Sequence, residues 1–134
     1  MTKPIIETGK RKKAIARATL VPGKGIIRIN GVPIEQIEPY LARMKLKEVF
    51  LLIRDPKLTE INIKVDVVGG GVIGQADAAR IAITKAINKY LGKKKITRII
   101  TQYDRSLLSG DSRRTEPKKW GGTKARKRTQ KSYR

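Results

Sequence analysis

Residues 60–92 read EINIKVDVVGGGVIGQADAARIAITKAINKYLG: an alternating segment, three glycines and a helical repeat. In the first part, Ile61, Ile63, Val65 and Val67 fall on one side, and Asn62, Lys64 and Asp66 on the other. A period of two belongs to a strand with one buried and one wet face. Beyond the glycines at 69–71 the period changes. Ala76, Ala79, Ile83, Ala86, Ile87 and Tyr90 recur at helical spacing, which predicts a helix from about Gly74 to Leu91, ended by Gly92. So many alanines in one stripe predict a helix lying very close to the sheet.

The glycines invite a nucleotide-site reading. Gly69, Gly71 and Gly74 match G-x-G-x-x-G between a strand and a helix, the context of a dinucleotide fingerprint. The acidic residue that would hold a ribose some twenty positions on is missing, and Lys93, Lys94 and Lys95 occupy that region. Nor does a second clear parallel strand follow the helix. A P-loop fails as well: Gln75 and Ala76 stand where Lys and Ser or Thr are required. Two readings stay open, a close-packed strand-to-helix turn and a helix N-terminus facing an RNA phosphate.

Working outward, residues 13–21 read as a strand, 22–25 as a turn (PGKG) and 26–29 as a second strand, together predicting a hairpin. Residues 10–17 then lie at the N-terminal edge of a sheet. Pro33 opens a short turn, and 40–53 predict a helix with Leu41, Met44, Val49, Leu52 and Ile53 as its apolar members, stopped by Asp55 and Pro56. A last helix is expected over 96–108, broken at 109–111. The organisation expected is a basic extension (1–12), a globular α+β domain (13–111) and an extended basic tail (112–134).

Charge points to the partner. The net charge is +21, with a pI near 10.7. Residues 1–17 carry net +5 and residues 112–134 net +9, so 40 terminal residues hold two thirds of the excess. Like charges at this density call for a polyanion, and the basic stretches lack the amphipathic pattern that an anionic membrane would need. The tail from Pro117, PKKWGGTKARKRTQKSYR, has eight basic and no acidic residues. It is too polar to order on its own. Its arginines can fork onto phosphates, and Trp120 and Tyr133 suit stacking on a base or ribose. Candidate RNA-binding residues are Lys10, Arg11, Lys12, Lys13, Arg17, Arg113, Arg114, Lys118, Lys119, Trp120, Lys124, Arg126, Lys127 and Arg128, with Lys131, Tyr133 and Arg134 at the tip.

Catalytic sets are thin. There is no Cys and no His, which removes thiolate chemistry, Cys-ligated zinc and the commonest general base. Asp104, Ser106 and Asp111 lie close in sequence without a base, and Asp104 is expected to pair with an arginine or cap a turn. No enzyme, metal or cofactor is expected. No apolar run approaches the ~20 residues of a membrane span and no signal-peptide core opens the chain, so an intracellular, cytoplasmic location is expected.

Three motifs in order resemble one family. GGGVIGQADAARIAITKAI (69–87) is similar to the signature of ribosomal protein nine of the small subunit. GKRKKAIARATL (9–20) resembles that family's opening, and EPKKWGG with KARKRTQKSYR (116–134) its terminal arm. The ending QKSYR and GDSRR at 110–114 resemble the archaeal and eukaryotic branch. Bacterial members end in Ser-Lys-Arg, so Tyr133 departs from them. The resemblance implies an α+β domain with a left-handed βαβ crossover, docked on rRNA in the head of the small subunit beside other head proteins. It implies that the tail threads through rRNA toward the peptidyl site, where Arg134 touches anticodon-stem phosphates of tRNA, with Lys131 in reach. The alternatives are a free-standing RNA-binding protein or chaperone and a nucleotide-dependent enzyme.

Overall fold

The computed structural model describes residues 3–128, 132 and 133. Among the described residues, strands β1 (Ile5–Arg11), β2 (Ala14–Pro22), β3 (Ile27–Ile29), β4 (Val32–Pro33) and β5 (Ile61–Val68) form one sheet in the order β1-β2-β5-β3-β4. β1, β2 and β5 are successively antiparallel; β3 runs parallel to β5 and carries the antiparallel β4 on its outer edge. Helices α1 (Tyr40–Ile53), α2 (Val72–Leu91), α3 (Lys94–Tyr103) and α4 (Ser106–Ser109) complete the fold. It is α+β, a small sheet packed by helices, and the parallel pair β3 and β5 is joined by a crossover containing α1.

The alternation in β5 is as expected: Ile61, Ile63, Val65 and Val67 are buried. β2 offers the same face Ala14, Ala16, Ala18 and Leu20, also buried, while Ile15 and Arg17 point the other way. Small side chains here let α2 sit almost on the strands. The closest approach is at Gly9 of β1, where a Cβ would lie 2.2 Å from the carbonyl oxygen of Ala78 and 2.6 Å from the amide nitrogen of Ala82. The alanine-rich stripe of α2 is thus matched by a glycine and three alanines on the sheet. Gly92 ends α2 in the left-handed conformation, φ 59°, its N–H donating to the Asn88 carbonyl.

Four features differ from the expectations. Residues 5–11, read as part of a basic extension, form edge strand β1. Its inward positions are Ile5, Glu7, Gly9 and Arg11, so no apolar alternation advertises it. The hairpin expected between β2 and β3 does not form, because β5 inserts between them. β5 is long enough to pair both, and the turn is tied to it: the Asn62 side-chain oxygen accepts from the amides of Lys24 (2.9 Å) and Ile26 (3.0 Å). In α1 the buried stripe is Ala42, Leu46, Val49 and Ile53, while Leu41 and Met44 are exposed; counting only large apolar residues passes over Ala42. Finally, the expected last helix is two, α3 and α4. Asp104 interrupts it by accepting from the Ser106 amide and hydroxyl at 2.8 and 2.7 Å, the local competition with helix that short acidic side chains supply. Asp104 also pairs with Arg80 at 3.3 Å, so it both caps a turn and meets an arginine.

Candidate nucleic-acid interface

The two lysines between β1 and β2 form a tight turn in which Lys12 takes φ 54°. That turn packs on the glycine loop that follows β5. Gly69 and Gly70 both have positive φ, 73° and 71°. A Cβ at Gly69 would lie 2.5 Å from the Lys13 carbonyl oxygen, and one at Gly70 would lie 2.9 Å from the Ala14 Cβ. Both glycines are therefore required by backbone conformation and by close approach. Gly71 would meet nothing within 4 Å, and Gly74 would make only an ordinary 3.9 Å contact. A fingerprint needs its special glycines at 69, 71 and 74. Here the special pair is 69 and 70, which fits a close-packed turn and not a dinucleotide fingerprint.

The turn nevertheless leaves a basic cleft of about 370 Å³, lined by Arg11, Lys12, Lys13, Gly70, Gly71, Ile73, Gly74, Asp77 and Thr115. It gathers three stretches far apart in sequence: the N-terminal basic run, the start of α2 and the root of the tail. The first amides of a helix have no partner within the helix, and its dipole favours an anion there. Lys12 and Lys13 are exposed at the same edge. Lys10 and Arg17 are also exposed, but they lie on strands, at non-inward positions of β1 and β2.

Where the tail leaves the domain, Asp111 accepts from the Arg113 amide (2.9 Å) and from the Arg113 guanidinium at 2.7 and 3.1 Å. Arg11 lies 2.7 Å from Oδ2 of the same carboxylate, the oxygen that also takes the Arg113 guanidinium at 2.7 Å, in an ion pair not aligned as a hydrogen bond. Arg114 donates to the Lys12 carbonyl at 2.7 Å. Asp77 takes Lys45 at 2.7 Å and stands 3.9 Å from Arg11. The hydrogen bonds from Arg113, helped by the charge of Arg11, hold the Asp111 carboxyl well below the usual carboxylate range. A depressed folded-state pKa stabilises the fold above the unfolded value of about 3.9 and fades as pH falls through the folded one. Carboxyl carbon NMR of Asp111 is accordingly expected to show no inflection between pH 7 and 4; an inflection near 4 would mean that the cluster is open in solution.

Beyond Thr115 the tail is exposed but not fully extended. Glu116 accepts from Arg126 at 3.0 and 3.2 Å, and Gly122 bridges to Arg128, closing a loop over 116–128. Gly121 has φ 92°, and a Cβ at Gly122 would lie 1.9 Å from the Lys127 carbonyl oxygen. Trp120 projects wholly into solvent. Among the described residues, Arg126 is the one cation of 117–128 with an acidic partner; Lys118, Lys119, Lys124, Lys127 and Arg128 have none. Tyr133 is exposed, whereas Lys131 and Arg134 lie outside the described residues.

The structure thus unites Arg11, Lys12, Lys13, Arg113 and Arg114 at one end of the domain, and leaves Lys10 and Arg17 apart on the strands. Residue reading missed Asp77 and the acceptor role of Asp111. The Asp-Ser-Arg spacing at 111–113, suited to an aspartate bonding an amide two residues on, was the available signal. Among the described residues no group of three or more acidic side chains could hold a metal ion, and no helix is long and apolar enough to cross a membrane.

Comparison with known proteins gives the family. The family model described as ribosomal protein S9/S16 matches residues 9–134. A protein of Desulfurococcus amylolyticus named small ribosomal subunit protein uS9 is 48% identical over 132 residues, 98% of this chain and 94% of that protein. The proteins of the same name from Thermoplasma acidophilum and Halobacterium salinarum are 50% and 46% identical, over 97% and 95% of this chain and 100% and 96% of their own lengths. These archaeal relatives agree with the branch indicated by GDSRR and QKSYR. The match of the family model from Gly9 to the last residue, with near-complete coverage by these relatives, establishes that the chain belongs to the ribosomal protein S9/S16 family, as a member of archaeal type.

Proposed function

We propose that this chain, a structural constituent of the small ribosomal subunit, binds rRNA in the subunit head through its basic cleft and tail, and that the tip of the tail supports tRNA in the peptidyl site. The observation that carries this reading is that, among the described residues, Lys118, Lys119, Lys124, Lys127 and Arg128 have no acidic partner, on a tail rooted beside Lys12, Lys13 and the start of α2. The role is charge neutralisation and positioning, not catalysis. The domain supplies register, and phosphate contacts from Lys12, Lys13, Lys118, Lys119, Lys124, Lys127 and Arg128 hold it without reading sequence. Trp120 offers a face for a base or ribose. Eighteen extended residues from Pro117 reach at most ~60 Å at ~3.3 Å each, enough for a surface-docked domain to send Arg134 into the RNA interior. Lys131, Tyr133 and Arg134 are assigned to tRNA, with Arg134 on backbone phosphates. The working location is the cytoplasmic ribosome, with other head proteins as neighbours.

Sedimentation tests the assembly half. The protein is expected to run with small subunits on a sucrose gradient of cell lysate; remaining at the top would support a free-standing RNA-binding protein instead. Deletion of residues 131–134 tests the tip. Subunits are expected to assemble normally but to bind peptidyl-site tRNA more weakly, and unchanged tRNA affinity would remove the tip's role.

A further inference from the structure

Arg11 and Arg113 belong by sequence to the basic runs, yet both are paired with one acid: Arg11 from inside the fold, Arg113 from an exposed position. Arg11 is largely buried, its side chain 19% exposed, between Asp77 and Asp111. Arg113 is bound to Asp111 through its amide and through one edge of its guanidinium, Nε and one Nη. Asp111 itself is 11% exposed, although it lies in a loop next to solvent. An acid so placed on a chain of net charge +21 works against attraction for RNA. Its geometry explains its presence. The carboxylate joins the last residue of β1 to the second residue beyond it in the tail, and Arg114 is fastened in turn to the Lys12 carbonyl.

We propose that Asp111 is a positioning residue: it clamps the root of the tail to the end of β1 and so sets the direction in which the tail leaves toward RNA. The clamp rests on the reading of the tail as an rRNA anchor and adds to it a division of labour. Arg11 and Arg113 hold the tail, while Lys12, Lys13 and the cations beyond 117 touch phosphates. Without the clamp the tail root would have to be ordered on binding, and a pre-organised segment avoids that cost.

The test turns on a sign. Replacing Asp111 by asparagine removes a negative charge, so simple electrostatics predicts tighter binding to every RNA. The clamp predicts weaker binding to the site that needs a directed tail. With full-length Asp111→Asn, affinity for a transcript of the rRNA head domain is expected to fall roughly two- to tenfold, the cost of immobilising one or two side chains. Affinity for polyuridine is expected to be unchanged or slightly higher. Hydrogen exchange in the free protein is expected to speed up at the Arg113 amide, which donates to Asp111, and not in α2. Arg11→Gln serves as a second variant: it is expected to lose the same affinity for the head transcript, with affinity for polyuridine unchanged or slightly lower and an unaltered dependence of binding on salt because Arg11 touches no phosphate. Tighter binding of Asp111→Asn to both RNAs, or unchanged exchange at the Arg113 amide, would overturn the clamp. If the unaltered protein itself fails to prefer the head transcript over polyuridine, the rRNA-anchor reading fails first, whatever the exchange shows.

Discussion

Replacing Gly9 by alanine is expected to destabilise the protein by about 3 kcal/mol, at the upper end for an overpacked site. The new Cβ would meet the Ala78 carbonyl oxygen at 2.2 Å and the Ala82 amide nitrogen at 2.6 Å, both backbone atoms of α2. No side chain can rotate away to make room. Either α2 lifts from the sheet, opening the contacts of Ala78, Ala79 and Ala82, or β1 leaves its edge. A loss of this size corresponds to a fall in melting temperature on the order of 10 °C or more, read by thermal denaturation. Gly74→Ala is the matched comparison. Its Cβ would sit 3.9 Å from the Ala14 Cβ inside the first turn of α2, so it should be neutral or stabilising by up to ~1 kcal/mol, the helix-propensity gain. Equal effects of the two substitutions would contradict the packing described.

Removal of residues 117–134 has the largest effect expected on binding. Among the described residues, none of this stretch belongs to the buried core, and the fastening of Asp111, Arg113 and Arg114 stays in place, so the melting temperature should hardly move. RNA affinity should collapse. If the tail neutralises about six to eight phosphates of single-stranded segments, it contributes a log–log salt slope of roughly −4 to −6. A slope of −4 is a ~10⁴-fold change for tenfold in salt, so a truncated chain is expected to bind rRNA two to four orders of magnitude more weakly at ~0.1 M salt. Loss of binding with an intact fold would separate anchor from domain; retained binding would transfer the role to the cleft at Lys12 and Lys13.

The parts of this fold legible from sequence are those with one clear period. β5 alternates strictly, α2 repeats Ala and Ile at helical spacing, and α1 has the expected bounds. β1 was illegible because its inward residues include Gly9, which exists to admit α2, and Glu7, which pairs with Lys89 at 2.6 Å. The order of strands was illegible for another reason. Chain neighbours β2 and β3 look like a hairpin locally, and only the reach of β5 across both shows that they are separated. At the interface, composition marked the cations but not their partners. Arg11 and Lys12 are adjacent in sequence, yet one faces Asp111 and the other solvent. That distinction depends on the turn between β1 and β2 meeting the loop after β5, a contact between residues more than fifty apart. The glycine spacing was no guide to which glycines matter: it marks 69, 71 and 74, while the backbone singles out 69 and 70.

The central claim is that uncompensated cations on the tail bind RNA by neutralising phosphates. Titration of the full-length protein onto a transcript of the rRNA head domain, repeated from low to high salt, tests it most directly. The account predicts a logarithmic slope of roughly −4 to −6; a slope near zero would contradict it.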